Sequence, residues 1–292
     1  MESTVRYASG SAFRTALETR LRSESLASGI PLMRLRKTIA FDRLLARIVA
    51  AQPDSWVLKG GLALQLRMEH RSRTTKDIDL LLRETGVNAH HLLVAAVRVG
   101  LDDWFEFEIA PPDRIPVHDG VRLPVRSLLD GREFEVFRVD VGIGDPVTSP
   151  PERLVVTRLL EFADITPTAV PCYLLVQHVA EKLHAYTRPH SEGENSRVKD
   201  LVDMVGLAER YAFDARELSG AIRATFKSCN THTLPETLVD PPRSWTPEYR
   251  RMARDLDAEA VDVAAAMGLL RGFLEPVLQN SVLGCWDPTS RQ

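Results

Sequence analysis

Two aspartates separated by one residue, Asp77 and Asp79, have the clearest chemical meaning in this sequence. In a strand, residues i and i+2 project from the same face, so both carboxylates point together while Ile78 faces the core. Two carboxylates held this close repel each other, and a bound divalent cation relieves that repulsion. The pair therefore predicts a metal site on a strand.

A glycine pair ahead of these aspartates offers a binding site for phosphate. Gly60 and Gly61 follow a short predicted strand, residues 56–58, and stand at the start of a predicted helix. A helix that starts in this way presents backbone N–H groups and the positive end of its macrodipole to an anion. Lys59 adds a compact positive charge beside the turn. In this order, the glycine turn and the aspartate pair predict a triphosphate bound opposite a divalent cation.

A third acid comes from a later segment of the chain. A two-metal centre usually takes a ligand from a neighbouring strand, and the predicted strand at 133–141 offers Asp140. Val139 and Val141 share one face of this strand, so Asp140 shares the other face with Arg138. We interpret Asp140 as a metal ligand or as the base for an incoming hydroxyl. An edge strand with a solvated face is the alternative.

The elements that must position these residues follow two patterns. Residues 11–51 predict two helices, and short apolar runs separated by turn residues predict strands between 56 and 141. Further helices are predicted at 151–162, 171–187, 197–211, 214–227, 246–256 and 258–280. The predicted fold class is therefore α+β: a mixed sheet with flanking helices in residues 1–150, then an α-helical domain in residues 151–292.

Composition excludes several classes of protein. The chain has 292 residues, of which 44% are hydrophobic and 26% charged, which excludes a disordered tail or a fibrous coil. No run approaches the ~20 apolar residues of a membrane span, and the first residues do not resemble a secretory signal. The three cysteines, Cys172, Cys229 and Cys285, are far apart. This spacing favours reduced thiols in a cytoplasmic protein.

The charge pattern leaves two interpretations open. A net charge of -3 gives no overall positive field for nucleic acid. The two N-terminal helices nevertheless carry many basic residues and few acids: Arg14, Arg20, Arg22, Arg34, Arg36, Lys37, Arg43 and Arg47. These residues form either a solvated helix face or a surface that binds RNA phosphates.

Four ordered motifs resemble the AbiEii/AbiGii-type toxin nucleotidyltransferases, which include the MenT toxins and have the fold of DNA polymerase β-type nucleotidyltransferases. The first two motifs are Val-Leu-Lys-Gly-Gly-Leu-Ala-Leu at 57–64 and Arg-Thr-Thr-Lys-Asp-Ile-Asp at 73–79. The other two are Ala-Glu-Lys-Leu-His-Ala at 180–185 and Arg-Val-Lys-Asp-Leu-Val-Asp at 197–203. One departure is Leu62, which stands where members usually have a Ser or Thr whose hydroxyl bonds a phosphate.

The resemblance implies a nucleotidyltransferase domain and a helical domain that encloses a nucleotide cleft. It implies that Asp77 and Asp79 hold Mg²⁺ with the help of Asp140, and that Lys182 and Asp200 complete the catalytic set from the helical domain. The residues expected to bind the nucleotide are Lys59, Gly60, Gly61, Thr75 and Lys76.

The resemblance also implies a reaction and its partners. Such a toxin would transfer nucleotides from an NTP to the 3′ end of tRNA, which could then not be aminoacylated, and a cognate antitoxin would control it. No membrane partner is expected. Transfer to a protein hydroxyl is one alternative. A non-catalytic nucleotide-binding module is another, which Leu62 favours and the complete set of acids and lysines opposes.

Overall fold

The computed structural model describes residues 7–68, 75–113, 120–144, 146, 149–189 and 197–291. It divides into two compact units. The N-terminal unit comprises the described residues of Met1–Arg67, Thr74–Gly144 and Pro151–Cys172. The C-terminal unit comprises the described residues of Met68–Arg73, Asp145–Pro150 and Tyr173–Gln292.

A mixed sheet forms the centre of the N-terminal unit. Its strands are β1 (Trp56–Lys59), β2 (Ile78–Leu82), β3 (Phe105–Ile109), β4 (Gly120–Leu129), β5 (Arg132–Ile143), β6 (Glu152–Val155) and β7 (Ala169–Cys172). Their order across the sheet is β3-β4-β5-β2-β1-β7-β6. The helices that accompany them are α1 (Gly10–Ser28), α2 (Leu32–Ala51), α3 (Gly60–Met68) and α4 (Ala89–Ala96). The predicted α+β fold class is confirmed.

The two faces of the sheet differ in polarity because side chains alternate along each strand. Ile78 and Leu80 of β2 and Val139 and Val141 of β5 are buried. They belong to one apolar cluster with residues of α1, α2 and α4. The residues between them, including Asp79 and Asp140, project from the opposite face. The hydrophobic core therefore fixes which face carries the acids.

The long β4–β5 hairpin turns at the residues that the sequence predicts. Asp130 and Gly131 have φ angles of 54° and 68°, and two central residues with positive φ are typical of a type I′ turn. The register then shifts, because Ser127 pairs with Glu135 whereas Leu128 pairs with Glu133. Phe134 is the extra residue of this β-bulge.

The boundary between the units lies later than the predicted one near residue 150. Residues 151–162, predicted as a helix, instead contain β6 and a short 3₁₀ turn, Glu161–Ala163. The apolar residues here fit either period, and pairing with the sheet decides between them. β6 pairs antiparallel with β7, and β7 pairs parallel with β1. The helix predicted from residue 171 begins at Leu175 for the same reason, since Cys172 ends β7.

The C-terminal unit is helical, as predicted. Its helices are α5 (Leu175–Thr187), α6 (Val198–Ala208), α7 (Ala215–Cys229), α8 (Thr246–Asp255) and α9 (Val263–Leu278). Two short strands, β8 (Phe213–Asp214) and β9 (Cys285–Trp286), pair with each other. Helix α6 is buried along its length from Leu201 to Ala208. Among the described helices, none is long and apolar enough to span a membrane.

The basic residues of the first two helices do not form one phosphate-binding surface, which corrects that interpretation. Arg43 and Arg47 are buried, and both donate to Asp103, which is only 1% exposed. Arg14 donates to the carbonyl of Leu129 at 2.9 Å, close to the hairpin turn. These arginines pair a buried acid and satisfy a backbone carbonyl, so at least three of the eight have a structural role.

Arg36 belongs to the same structural group. It forms an ion pair with Glu18, donates to the carbonyl of Phe134 at 2.8 Å, and stacks over the Phe134 ring. Arg20 and Arg22, by contrast, are exposed. Since only part of the group faces solvent, the net basic character of these helices in the sequence overstates the charge at the surface.

Candidate active site

The glycine turn and Asp79 lie against each other. Lys59 ends β1 and pairs in register with Asp79 on β2. Gly60 has a φ of 63°, a region that favours glycine, and a Cβ at this position would collide with the Asp79 side chain. The N–H of Gly61 donates to Oδ2 of Asp79 at 3.3 Å. Glycine is thus required at position 60 both by backbone conformation and by the close approach of a carboxylate.

In this contact the start of α3 lies against a negatively charged side chain. The first N–H groups of a helix have no partner inside the helix and point towards an anion. Here a carboxylate oxygen of Asp79 takes the position where the sequence predicts a phosphate. The N–H of Gly61 thus has an acceptor within the protein itself, and phosphate binding at Gly60 and Gly61 stays a prediction.

Leu62, the departure from the family pattern, belongs to the core. Its side chain is 0% exposed and lies in the apolar cluster of the N-terminal unit. It provides no hydroxyl to a ligand. The predicted phosphate binding at this turn is therefore left to backbone N–H groups, Lys59 or Thr75.

Thr75 shapes the approach to Asp77. The Thr75 side chain is buried, and its hydroxyl donates to the backbone carbonyl of Asp77 at 2.9 Å. This bond closes a short turn just before β2, and Lys76 within the turn is exposed. The hydroxyl proton of Thr75 is already used in the described structure, so its contribution is to the loop that presents Asp77. Phosphate binding by Thr75 and Lys76 stays a prediction.

Asp140 lies beside Asp79 but pairs with an arginine that the sequence reasoning missed. β2 and β5 run parallel with Asp79 in register with Asp140, and Arg122 on β4 is opposite Asp140. The Arg122 guanidinium donates from Nε to Oδ1 at 2.7 Å and from Nη2 to Oδ2 at 2.6 Å. These hydrogen bonds, together with the charges of Asp140 and Asp77, raise the pKa of Arg122 above its ordinary value.

The register of the hairpin is the signal that could have found Arg122. Counting back from the Asp130–Gly131 turn without a bulge places Arg122 opposite Val139, on the core face. The extra residue Phe134 moves the pairing by one position, so that Arg122 meets Asp140. A bulge of this kind cannot be located from alternation of apolar residues alone.

The three predicted carboxylates do not form a ready-made metal cluster. Within the described ranges, no three or more carboxylate, imidazole or thiolate groups are arranged to hold a metal ion. Asp79 accepts a hydrogen bond from the glycine turn, and Asp140 forms an ion pair with Arg122. Mg²⁺, however, is usually bound through one or two carboxylates, water and substrate phosphates. Asp79 on β2 and Asp77 just before it offer the two carboxylates that such a complex uses, and magnesium binding by them and by Asp140 stays a prediction.

The predicted residues of the C-terminal unit lie together. Lys182 on α5 is buried and donates from Nζ to Oδ2 of Asp203 at 2.6 Å and to Oδ1 of Asp200 at 3.4 Å. Asp203, which is only 2% exposed and is not among the predicted site residues, is the closer partner of Lys182. Arg197 also lies 3.5 Å from Asp200. A buried lysine needs such partners, so this group ties α5 to α6.

The sequence was compared with known protein families. It matches the family model "Nucleotidyl transferase AbiEii toxin, Type IV TA system" over residues 43–269. The chain belongs to the AbiEii family of toxins. This confirms the resemblance drawn from the motifs, and the matched region contains every residue proposed for the site, from Lys59 to Asp200. A search of curated proteins found no match.

Two solved structures are similar to parts or most of this chain. MenT4, a nucleotidyltransferase toxin from Mycobacterium tuberculosis H37Rv, is 17% identical with a TM-score of 0.53, covering 90% of this chain and 98% of that one. An antigenic nucleotidyltransferase-like protein from Paracoccidioides brasiliensis is 16% identical with a TM-score of 0.39, covering 76% of this chain and 93% of that one. The similarity to MenT4 supports the nucleotidyltransferase fold.

Proposed function

We propose that this AbiEii-family toxin is a Mg²⁺-dependent enzyme that transfers nucleotides from an NTP to the 3′ end of tRNA. A tRNA extended in this way could not be aminoacylated, so translation in the cytoplasm would stop, and a cognate antitoxin would oppose the toxin. The observation that carries the proposal is the row of Lys59, Asp79 and Asp140 across three adjacent strands, with the glycine turn against Asp79.

The side chains have separate tasks in the proposed reaction. The N–H groups at the start of α3 and the amine of Lys59 bind the phosphates of the NTP. Asp77 and Asp79 hold Mg²⁺, which supplies charge neutralisation and lowers the pKa of the attacking hydroxyl when bound. Since Gly61 donates to Asp79 in the described structure, a phosphate bound at the turn shares or replaces that contact.

Lys182 and Asp200 are also proposed as residues required for transfer. Their support is twofold: they match the family motifs, and their side chains are held in a buried charged group with Asp203. A lysine buried among carboxylates keeps a fixed orientation, which favours electrostatic catalysis over binding by a mobile surface charge.

The decisive experiment incubates the purified protein with Mg²⁺, total tRNA and each α-labelled NTP in turn. Label on RNA in a denaturing gel supports the proposal. Label on a protein added in place of the tRNA supports transfer to a protein hydroxyl. If no acceptor is labelled, the result supports a non-catalytic nucleotide-binding module.

Conservative variants test the assignment of the acids. Asp77→Asn and Asp79→Asn keep the shape of each side chain but remove its charge, so transfer should be lost while the fold remains. Glu106→Gln is the matched control, because Glu106 is an exposed acid on β3 and its loss should leave transfer unchanged. Wild-type rates in either aspartate variant would refute the assignment.

A further inference from the structure

Arg122 lies on the side of the acids away from the glycine turn. The order of strands is β4-β5-β2-β1, so Arg122, Asp140, Asp79 and Lys59 follow one another across the sheet. Each is in register with the next, and residues in register share a face. The phosphate-binding turn thus lies at one end of this row, and a fixed positive charge lies at the other.

Only some of the N–H donors of the Arg122 guanidinium are used by Asp140. Of its five N–H groups, one on Nε and one on Nη2 donate to Asp140, and no other hydrogen bond from this side chain occurs within the described part of the chain. The side chain is 37% exposed. Because the two-pronged contact fixes the plane of the guanidinium, the remaining donors are held in place for an incoming anion.

The geometry of nucleotidyl transfer indicates which anion this is. The attacking and leaving oxygens of a phosphoryl transfer lie roughly in line. If the leaving pyrophosphate is held at the glycine turn beside β1, the attacking hydroxyl enters from the side of β5 and β4. An acceptor strand that brings its 3′ hydroxyl there places its last backbone phosphates next to Asp140 and Arg122.

We propose that Arg122 binds a backbone phosphate near the 3′ end of the acceptor and that Asp140 is the positioning residue that orients Arg122. This inference rests on the proposed function and specifies its acceptor as a nucleic acid, because a protein hydroxyl brings no phosphate to this contact. Phosphate contacts fix the register and orientation of a nucleic acid. Arg122 thereby selects the acceptor by its backbone and not by its bases.

The test measures binding without chemistry. A short fluorescent RNA is titrated with the full chain in Mg²⁺ and without NTP, and its Kd is compared with that of RNAs carrying one neutral methylphosphonate at each of the last three linkages in turn. One of these substitutions should weaken binding to the wild type about tenfold. For Arg122→Gln, the Kd for ordinary RNA should rise by the same factor. The RNA substitution that weakens binding to the wild type should raise the Kd of this variant no further.

Two further variants separate this role from a structural one. Arg126→Gln is the matched control, since Arg126 is on the same strand and pairs with Glu108 and Glu133 away from the acids; its Kd should change less than twofold. Arg122→Lys keeps the charge and should bind RNA better than Arg122→Gln. Thermal denaturation of each variant verifies that the fold persists.

Three results would overturn the inference. The first is an unchanged Kd of Arg122→Gln for RNA. The second is a further loss of affinity when Arg122→Gln binds the methylphosphonate RNA, so that the two effects add. The third is a raised KM for NTP together with normal RNA binding. Failure of the proposed function looks different, because then the wild type labels no RNA in the transfer assay whatever the binding data show.

Discussion

Replacing Gly60 by alanine tests the contact between the glycine turn and Asp79. The φ of 63° costs an L-residue about 1–2 kcal/mol. The new Cβ would also meet the Cβ, Cγ and Oδ2 of Asp79, and because the Cβ of Asp79 cannot rotate away, β1 and β2 must separate. Overpacking of this kind costs about 1–3 kcal/mol. The free energy of unfolding should therefore fall by roughly 2–5 kcal/mol.

Gly29 provides the matched control. It has a φ of 73° at the end of α1, and a Cβ there would have no neighbour within 4 Å. Gly29→Ala therefore carries the backbone cost alone, about 1–2 kcal/mol. The difference between the two variants in urea denaturation isolates the collision with Asp79.

The transfer assay gives the second readout for this pair. Gly60→Ala displaces Asp79, and a displacement near 1 Å in a catalytic group costs about a hundredfold in rate. Gly29→Ala should keep the wild-type rate, since Gly29 lies outside the site. Equal losses of stability in the two variants would refute the reasoning, because Asp79 would then not lie against the turn.

Three further predictions concern charged groups. Lys182→Met leaves Asp203 buried without its cation and should cost about 3–5 kcal/mol in urea denaturation, whereas Lys199→Met, on an exposed side chain, should cost little. Burial, with His232 and Arg188 nearby, lowers the pKa of His184 to about 4 from 6.5. The unfolded chain then binds more protons, so stability should fall as the pH drops from about 6.5 to 4, and His184→Gln should flatten this dependence in thermal denaturation. Arg36→Glu should destabilise the fold, because Arg36 pairs with Glu18 and the Phe134 carbonyl, whereas the exposed Arg22→Glu should leave the melting temperature unchanged.

Local signals in the sequence were sufficient for the strands and turns that surround the acids. Asp130 and Gly131 predict their turn because few other pairs accept two positive φ angles. Alternation along β2 predicts that Asp79 projects away from the core between Ile78 and Leu80, whereas Asp77 lies just before this strand. The glycine turn follows from the residue types at the start of α3. These features depend on residues that are close together in the sequence, so they can be predicted from it.

Features that depend on distant partners could not be predicted. The residues of β6 read as a helix because only pairing with β7 makes them a strand. Arg43 and Arg47 read as surface charge because Asp103, their partner, is far away in the sequence. The ion pair of Asp203 with Lys182 could not be predicted, because it forms only when α5 and α6 are packed together.

The bulge at Phe134 makes the contact between Arg122 and Asp140 depend on the length of one hairpin. Deleting one residue there would slide β4 along β5 by a single step, and every side chain of β4 before the bulge would exchange faces. Leu123 would then project beside the carboxylates, and Arg122 would point into the hydrophobic core. Variation among related toxins should accordingly tolerate many substitutions in this hairpin, yet hardly any insertions or deletions between Arg122 and Asp140.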